Sequence, residues 1–482
     1  MEYYAEKENS AYIFALTLVA TLGGLLFGYD TAVISGAVSA LNHYFVLPRN
    51  LTEAASNSLL GFTVSGALVG CVIGGAIAGY MSNRFGRKLS LMVAAVLFLI
   101  SAVGSAVPEI GFAKIGFGGY AFLTQFIIYR IIGGIGVGMA SLLSPMYIAE
   151  ISPAYKRGKL VAYNQFAIIF GMLVVYFVNY FIALQGNDLW IDNTGWRWMF
   201  ASEAVPAFLF LVFLFFVPET PRWLMLRGRD EEALSILNKL NGVKGAKQII
   251  QEIRDTLKVE SGKLFSFGWK LVVIGILLSV FQQFIGINVV LYYAPEIFRN
   301  MGSGTDSALL QTIIVGAVNL TFTVVAILTV DKFGRKPLQI IGASVMSVAM
   351  ITLGFLFFTG ALGVAALLCM LLYIAGFAVS WGPVVWVLLA EIFPNKVRGK
   401  AMSVAVAAQW ISNYLVSWTF PMLDRSRILT EVFHHGFAYW IYGLMSVLAA
   451  IFMWKMVPET KGKTLEEMEK LWEKGKTDLS AV

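Results

Sequence analysis

The chain is poor in charge and in the residues that metal sites and disulfide frameworks need. Only 13% of its 482 residues are Asp, Glu, Lys or Arg, whereas a soluble domain usually has about 25%. Two cysteines and three histidines give neither a Cys/His metal spacing nor a disulfide framework. The sequence also has no phosphate-binding glycine loop and no nucleic-acid module to accompany its net charge of +7. These absences argue against a soluble enzyme, a metal-stabilised domain or a nucleic-acid-binding protein.

Hydrophobic residues dominate instead, at 58% of the chain. A membrane-spanning helix needs about 20 mostly apolar residues, and the first such run is too long for a signal-peptide core. We therefore predict an all-α membrane protein with twelve transmembrane helices in two six-helix halves, joined by short cytoplasmic helices. The predicted spans are 11–37, 57–80, 89–107, 120–146, 159–183, 199–217, 269–298, 307–330, 338–359, 363–389, 400–421 and 437–457.

One long, charged connection separates the first six spans from the last six. We predict four parts: an N-terminal half (1–217), a cytoplasmic helical linker (218–268), a C-terminal half (269–457) and a cytoplasmic C-terminal helix and tail (458–482). The short loops on one side carry twelve Lys and Arg residues and those on the other side carry six. Because positive charge favours the inside, this asymmetry predicts that both termini are cytoplasmic.

Three motifs recur in the same order in the two halves. "NRFGRK" returns as "DKFGRK" 248 residues later, "EISPAYKRGK" as "EIFPNKVRGK" 241 residues later, and "VPET" 240 residues later. Each copy falls at the corresponding loop, so the halves are duplicated in parallel orientation. Duplicated bundles of this kind place a substrate site between the halves, near the membrane midplane, and alternate its access by rocking.

Several motifs resemble those of the sugar porter family of the major facilitator superfamily. They are "GYMSNRFGRK" (79–88), "R-x-x-x-G-x-G-x-G" from Arg130, "PETPRWL" (218–224), "QQFIGINVVLYYAP" (282–295) and "PETKGKTLEE" (458–467). The resemblance covers essentially the whole chain. It implies symport of a monosaccharide and a proton by a multi-pass protein of the cytoplasmic membrane, with D-xylose as the expected sugar. It implies a monomer in the lipid bilayer that uses no cofactor and no metal.

Neutral amides and aromatic residues interrupt the apolar spans. Sugar hydroxyls need hydrogen-bond donors and acceptors, and sugar C–H faces pack on aromatic rings, so these side chains suit an uncharged sugar. Gln282 and Asn288 are six residues apart, about 600° around an ideal helix, and Gly286 between them predicts a break. The alternative is that the amides have only a structural role and form hydrogen bonds between helices. The resemblance gives ligand roles to Phe27, Gln165, Gln282, Gln283, Asn288, Tyr292, Asn319, Trp386 and Gln409.

Asp30 stands in the middle of the first span, in "GGLLFGYDTAVISG". An ionisable group there costs roughly 2.5–3.5 kcal/mol on insertion scales and usually marks a pathway, a partner or a proton site. We predict that Asp30 is the proton-coupling site, with Arg130 as its partner and Glu203 as a third member. The resemblance supports this, because passive members of the family generally carry Asn at this position. The alternative is a buried structural ion pair.

The duplicated loops contain acids as well as bases. Pairs formed between the halves could exist only while the cytoplasmic side is closed, and so would bias the equilibrium between the two access states. We call this predicted set the cytoplasmic latch, and the alternative is that its bases only anchor the topology. The resemblance assigns it Arg84, Glu150, Arg157, Arg335, Glu391 and Arg398.

Other functions remain open from the sequence alone. A passive sugar facilitator could use the same fold, and a proton symporter could carry arabinose, galactose or glucose in place of D-xylose. A membrane sugar sensor is the alternative outside transport. A polytopic sugar-modifying enzyme is disfavoured, because the loops have no paired carboxylates.

Overall fold

The computed structural model describes residues 9–153, 155–257, 263–394, 396–463, 467–470 and 472, and no strand occurs among them. Most of the predicted C-terminal helix and tail lies outside these residues. The α-helices are α1 Ser10–Leu41, α2 Glu53–Phe85, α3 Arg87–Ala106, α4 Leu123–Ile151, α5 Arg157–Ala183, α6 Asp188–Trp190, α7 Trp196–Ser202, α8 Ala204–Phe216, α9 Pro221–Leu226, α10 Asp230–Leu257, α11 Trp269–Phe284, α12 Ile287–Asn300, α13 Thr305–Phe333, α14 Arg335–Thr359, α15 Val364–Val379, α16 Pro383–Ile392, α17 Arg398–Asp424, α18 Arg427–Phe433 and α19 Gly436–Met456. Short 3₁₀ or π turns cover Asn42–Val46, Leu47–Arg49, Gly119–Phe122 and Ile191–Gly195.

The all-helical membrane fold is confirmed. Within the described residues, eleven helical segments are long and apolar enough to cross a membrane, and each corresponds to a predicted span. The remaining prediction, 400–421, corresponds to α17, which at 27 residues is long enough to span but is not among the eleven. Gln409, Ser412, Asn413 and Ser417 are all buried in it, whereas Ile411 and Leu415 are exposed, so its polar residues face the interior of the protein.

Two of the spans are broken near their middle. The first break separates α11 from α12 at Gly286, whose φ of +92° is a left-handed conformation that glycine adopts without strain. This confirms the predicted break. The second separates α15 from α16, which begins at Pro383 directly after Gly382. Proline has no N–H and fixes φ, so it starts a helix more readily than it continues one.

Glycines let α2 and α4 approach closely. A Cβ atom added to Gly134 would lie 1.8 Å from the carbonyl oxygen of Ala67, and one added to Gly138 would lie 2.3 Å from that of Cys71. These are the two glycines of a G-x-x-x-G pair, which is typical of helices packed backbone to backbone. The close packing fixes α4, which carries Arg130 and Glu150, against α2.

Contacts between the halves are concentrated at one side of the bundle. We call the end where α2 meets α3 and α13 meets α14 the basic side, and the other end the opposite side. On the opposite side, Asn57 donates to the carbonyl of Arg425 (3.3 Å) and Trp418 donates to that of Ser58 (3.1 Å). A Cβ atom on Gly61 would lie only 2.0 Å from the carbonyl oxygen of Trp418. The close contact between α2 and α17 at this seam is therefore possible because residue 61 has no side chain.

Replacing Gly61 by Val should open this seam. The added side chain overlaps the Trp418 backbone, so the equilibrium should shift toward the state that is open on the opposite side and closed on the basic side. Spin labels at Gly158→Cys and Gly399→Cys, two exposed glycines with open space around them, would report this. In a background without Cys71 and Cys369, the distance between the labels should shorten.

Gly79 provides the control on the same helix, because a Cβ atom there meets nothing within 4 Å. Gly79→Val should leave the label distance as in the parent. An unchanged distance in Gly61→Val would mean that the seam yields without a change of state.

Candidate functional site

The break in the seventh predicted span brings its polar residues together. Asn288, on the first turn of α12, donates through Nδ2 to Oε1 of Gln283, at 2.5 Å. Gln283 in turn donates through Nε2 to Oε1 of Gln282, at 3.3 Å. A straight helix would have turned Asn288 onto another face. The break thus produces a contiguous row of three amides, which we call the amide cluster.

The amide cluster also contacts the second break. Nε2 of Gln282 donates to the backbone carbonyl of Trp381, at 2.8 Å, and to that of Gly382, at 3.2 Å. Trp381 is fully buried, and its indole N–H donates to the carbonyl of Gln339, at 2.9 Å. Sequence reasoning missed Trp381, although its position directly before Gly382-Pro383 was the available signal.

Further polar side chains line α12, α13 and α17. Tyr292 accepts a long hydrogen bond of 3.4 Å from Asn413, whose Oδ1 accepts one from Ser417. Asn413 was not predicted. Gln409 and Asn319 are buried, and their amide oxygens have no hydrogen-bond partner among the described residues. Unsatisfied buried acceptors of this kind are unusual and are available to a ligand hydroxyl.

Three further predicted ligands, Phe27, Gln165 and Trp386, lie outside the amide cluster. Phe27 on α1 packs against Trp410 on α17, with ring centroids 5.6 Å apart, so these rings meet across the two halves. Gln165 on α5 and Trp386 on α16 are half-buried. Neither makes a hydrogen bond to the amide cluster within the described part of the chain. The structure therefore joins Gln282, Gln283 and Asn288 directly and leaves these two side chains separate.

Asp30 and Arg130 form a buried ion pair between α1 and α4. Nη1 of Arg130 lies 2.7 Å from Oδ1 of Asp30, and Nη2 donates to the Asp30 carbonyl at 3.0 Å. Both side chains are at most 1% exposed. The guanidinium also lies over the Phe200 ring, 5.3 Å from its centroid. Gly133 makes room for the pair, since a Cβ atom there would lie 3.2 Å from Oδ1 of Asp30.

Glu203 completes this buried cluster. It is 0% exposed, and Asp30 and Arg130 are the charges that act on it. The Asp30 side chain is also within hydrogen-bond reach of Glu203. When both carboxyls are ionised, neither Glu203 oxygen nor Oδ2 of Asp30 has a donor among the described residues. One cation therefore faces two carboxyl groups, so the triad is neutral only when it holds one proton.

On the basic side the acids pair with the arginines of the repeated FGRK motif. Arg87 contacts Glu150 at 2.8 Å and Arg335 contacts Glu391 at 2.8 Å. Each pair is formed within a single half: Arg87–Glu150 within the N-terminal half and Arg335–Glu391 within the C-terminal half. Arg335 was predicted and Arg87 was missed, although aligning the two FGRK copies places them at equivalent positions.

The other members of the predicted latch make local contacts here. The Arg84 guanidinium lies over the ring of Phe85, 5.7 Å from its centroid. Arg157 and Arg398 donate through Nε to backbone carbonyls of their own halves, at 3.0 and 3.1 Å. Salt bridges between the halves thus stay a prediction for the state in which this side is closed.

The repeated VPET motif supplies a carboxylate to a helix start in each half. Glu219 accepts from the first two backbone N–H groups of α3, and Glu459 from the first two of α14, at 3.0–3.1 Å. Burial raises the pKa of Glu219, whereas for Glu459 burial is outweighed by backbone N–H donors, which lower its pKa. Carboxylates stabilise helix N-termini, and here they tie each VPET segment to its FGRK loop.

A family model for sugar (and other) transporters matches residues 16–472. The chain belongs to the sugar transporter family. This transporter is 64% identical over 476 residues to the D-xylose-proton symporter of Escherichia coli K12, covering 96% of each chain. It is 42% identical over 472 residues to the glucose facilitated diffusion protein of Zymomonas mobilis, covering 97% of this chain and 99% of the relative.

Its structure matches the inward-open conformation of the E. coli xylose transporter with a TM-score of 0.87. The two are 62% identical, and the match covers 96% of this transporter and 100% of that chain. The closed seam between α2 and α17 and the pairing of basic-side residues within each half agree with this conformation.

Neutralising Glu150 should favour this conformation further. If Glu150 faces the other half when the basic side closes, Glu150→Gln removes a contact of that closed state. The distance between the labels at positions 158 and 399 should then shift to longer values. Glu150→Gln also weakens the contact with Arg87 that exists in the present state, so the shift should be partial, and it should increase when Arg398→Gln is added.

Glu232→Gln is the control, because it neutralises an exposed acid that pairs with Arg229 in the linker. It should not change the distance distribution. Unaltered distances in Glu150→Gln and in the double variant would leave the basic residues with topology anchoring alone.

Proposed function

We propose that this chain is a symporter that imports D-xylose together with a proton by alternating access. The observation that carries the proposal is the combination of a neutral amide cluster at two broken helices of the C-terminal half with a buried triad of one arginine and two carboxyl groups in the N-terminal half. The first suits an uncharged polyol and the second suits a proton. The 64% identity to a D-xylose-proton symporter supports both parts.

The sugar site lies where the two breaks meet. Gln282, Gln283 and Asn288 offer donors and acceptors, and Phe27 with Trp410 offers an aromatic wall. The site has no fixed charge of its own in these residues, which disfavours a charged substrate. Gln165, Tyr292, Asn319, Trp386 and Gln409 are proposed as further ligands of the same sugar.

The coupling site is the triad of Asp30, Arg130 and Glu203. A buried cluster with one cation and two carboxyls is unfavourable when both acids are ionised, because unpaired charge is costly in a low dielectric. Oδ2 of Asp30 and both oxygens of Glu203 are free to hold a proton. A movement of α1 relative to α4 changes the Asp30–Arg130 contact, so proton binding and access state become linked.

The proposal includes a location and an orientation. The basic side faces the cytoplasm, both termini lie there, and the protein functions as a monomer in the cytoplasmic membrane. The two halves, residues 1–217 and 269–457, rock against each other, with the linker 218–268 and the segment 458–482 on the cytoplasmic side. The proton moving inward down 100 mV supplies roughly 2.3 kcal/mol, which corresponds to about 50-fold accumulation of sugar.

Replacing Gln282 or Asn288 by Ala should weaken D-xylose binding about 5- to 150-fold. Each change leaves a sugar hydroxyl or a neighbouring amide unpaired, which costs about 1–3 kcal/mol. Calorimetric titration of the purified variants measures the effect. A panel of arabinose, galactose and glucose in the same titration identifies the preferred sugar.

Gln185→Ala is the control. Gln185 is an exposed amide just after α5, and its Nε2 donates to the carbonyl of Phe181 one turn earlier. Its replacement should leave the affinity within about two-fold. Unchanged affinity in both Gln282→Ala and Asn288→Ala would return the amides to a purely structural role.

Asp30→Asn should abolish uphill uptake into proteoliposomes while preserving sugar binding. The amide keeps the size of the side chain but cannot carry the proton, so a proton gradient no longer drives accumulation. Sugar exchange without a gradient should persist. The measurement is labelled D-xylose accumulation with and without an imposed pH gradient.

Glu109→Gln controls for loss of a buried ion pair. Glu109 contacts Arg197 at 2.7 Å, and both side chains are at most 8% exposed, on the opposite side of the bundle. This variant should still concentrate sugar. If Asp30→Asn also concentrates sugar, the coupling site lies elsewhere. If the unaltered protein equilibrates sugar without concentrating it, the passive-facilitator alternative is correct.

A further inference from the structure

The two broken spans hydrogen-bond to each other at their breaks, in both directions. Gln282, before the α11–α12 break, donates to the carbonyls of Trp381 and Gly382 at the α15–α16 break. In return, the hydroxyl of Tyr373 on α15 donates to the carbonyl of Ile285 in the α11–α12 break, at 2.8 Å. The first contact belongs to the proposed sugar site, whereas the second joins Tyr373 to a backbone group outside the amide cluster.

The Ile285 carbonyl needs this donor. It accepts no backbone N–H among the described residues, because the capping residue of α12 is Gly286, whose own carbonyl accepts from Val290. Ile285 and Tyr373 are both 0% exposed. An unpaired carbonyl in a membrane interior costs several kcal/mol. The Tyr373 hydroxyl therefore fixes the orientation of this peptide group.

A second tyrosine packs on the same break without such a bond. A Cβ atom on Gly286 would lie 2.6 Å from the ring of Tyr442, so this ring lies directly against the break. The Tyr442 hydroxyl has no hydrogen-bond partner in the part of the chain that the structure describes. The break is thus flanked by one tyrosine that acts through its hydroxyl and one that acts through its ring.

We propose that Tyr373 is a positioning residue for sugar binding. Its hydrogen bond to Ile285 sets the direction in which α12 leaves the break, and so places Asn288, three residues later, against Gln283. Tyr373 does not contact the sugar. The inference rests on the proposed function, because it requires that Asn288 is a ligand of the sugar.

The test compares Tyr373→Phe with Tyr442→Phe in the full-length purified protein. Each change removes one buried hydroxyl and keeps the ring, so loss of packing is matched. Calorimetric titration with D-xylose should show a Kd about 3- to 10-fold weaker for Tyr373→Phe, and a Kd within about two-fold of the wild type for Tyr442→Phe. Equal affinities for the two variants would overturn the proposal.

A double-mutant cycle separates positioning from general destabilisation. If Tyr373 acts through Asn288, adding Tyr373→Phe to Asn288→Ala should change the Kd by less than about two-fold. A full additional loss in that background would overturn the proposed route.

Amide hydrogen exchange over residues 283–290 gives a readout that does not need sugar. Exchange there should be faster in Tyr373→Phe than in Tyr442→Phe, and equal exchange would overturn the inference. Sugar binding by the wild type distinguishes failure of the proposed function from failure of the positioning role of Tyr373. If the wild type binds no monosaccharide, the proposed function fails together with this inference, whereas normal binding with matched variants overturns the positioning role alone.

Discussion

The ion pair between Arg130 and Asp30 is the interaction on which the N-terminal half depends. Removing one partner of a buried pair typically costs about 3–5 kcal/mol, because the other charge is left without compensation. The surrounding packing is arranged to permit the pair: Gly133 leaves space for the carboxylate, and the Phe200 ring covers the guanidinium. Any motion of α1 against α4 therefore acts on this contact, and both side chains are at most 1% exposed, so bulk solvent does not compensate for its loss.

The two halves share their basic-side motifs but differ in their cores. The FGRK arginine, its glutamate and the VPET carboxylate recur with nearly the same distances in each half. Near the midplane, the described residues of the N-terminal half provide the ionisable triad, and those of the C-terminal half provide the amide cluster. Duplication has thus kept the loops, which both halves need for the same movement, while the cores have taken on different chemistry.

The sequence alone was sufficient to predict structural features that depend on a single segment of the chain. Hydrophobic run length located the spans, and Gly286 located a break, because both follow from local backbone and solvation physics. It was harder to predict from the sequence which charged side chains pair with each other. Glu150 contacts Arg87 and not the nearer-in-sequence Arg157, since interhelical packing decides which arginine reaches it. The contact of Tyr373 was invisible for the same reason, because its hydroxyl donates to a backbone group of a different span. For Trp381 the only signal was its position directly before Gly382-Pro383, and its bond to the Gln339 carbonyl on another span could not be predicted.

The amides in this structure already satisfy one another. Asn288 donates to Gln283, Gln283 to Gln282, and Gln282 to the α15–α16 break. If the amide cluster is the sugar site, as proposed, an arriving sugar must displace some of these bonds, so its binding exchanges one set of partners for another, and the net gain per bond is small compared with its gross strength. A site of this kind can recognise the pattern of hydroxyls stringently and still hold the sugar weakly. Release on the far side then costs little free energy, because the same amides bond to one another again as the sugar leaves.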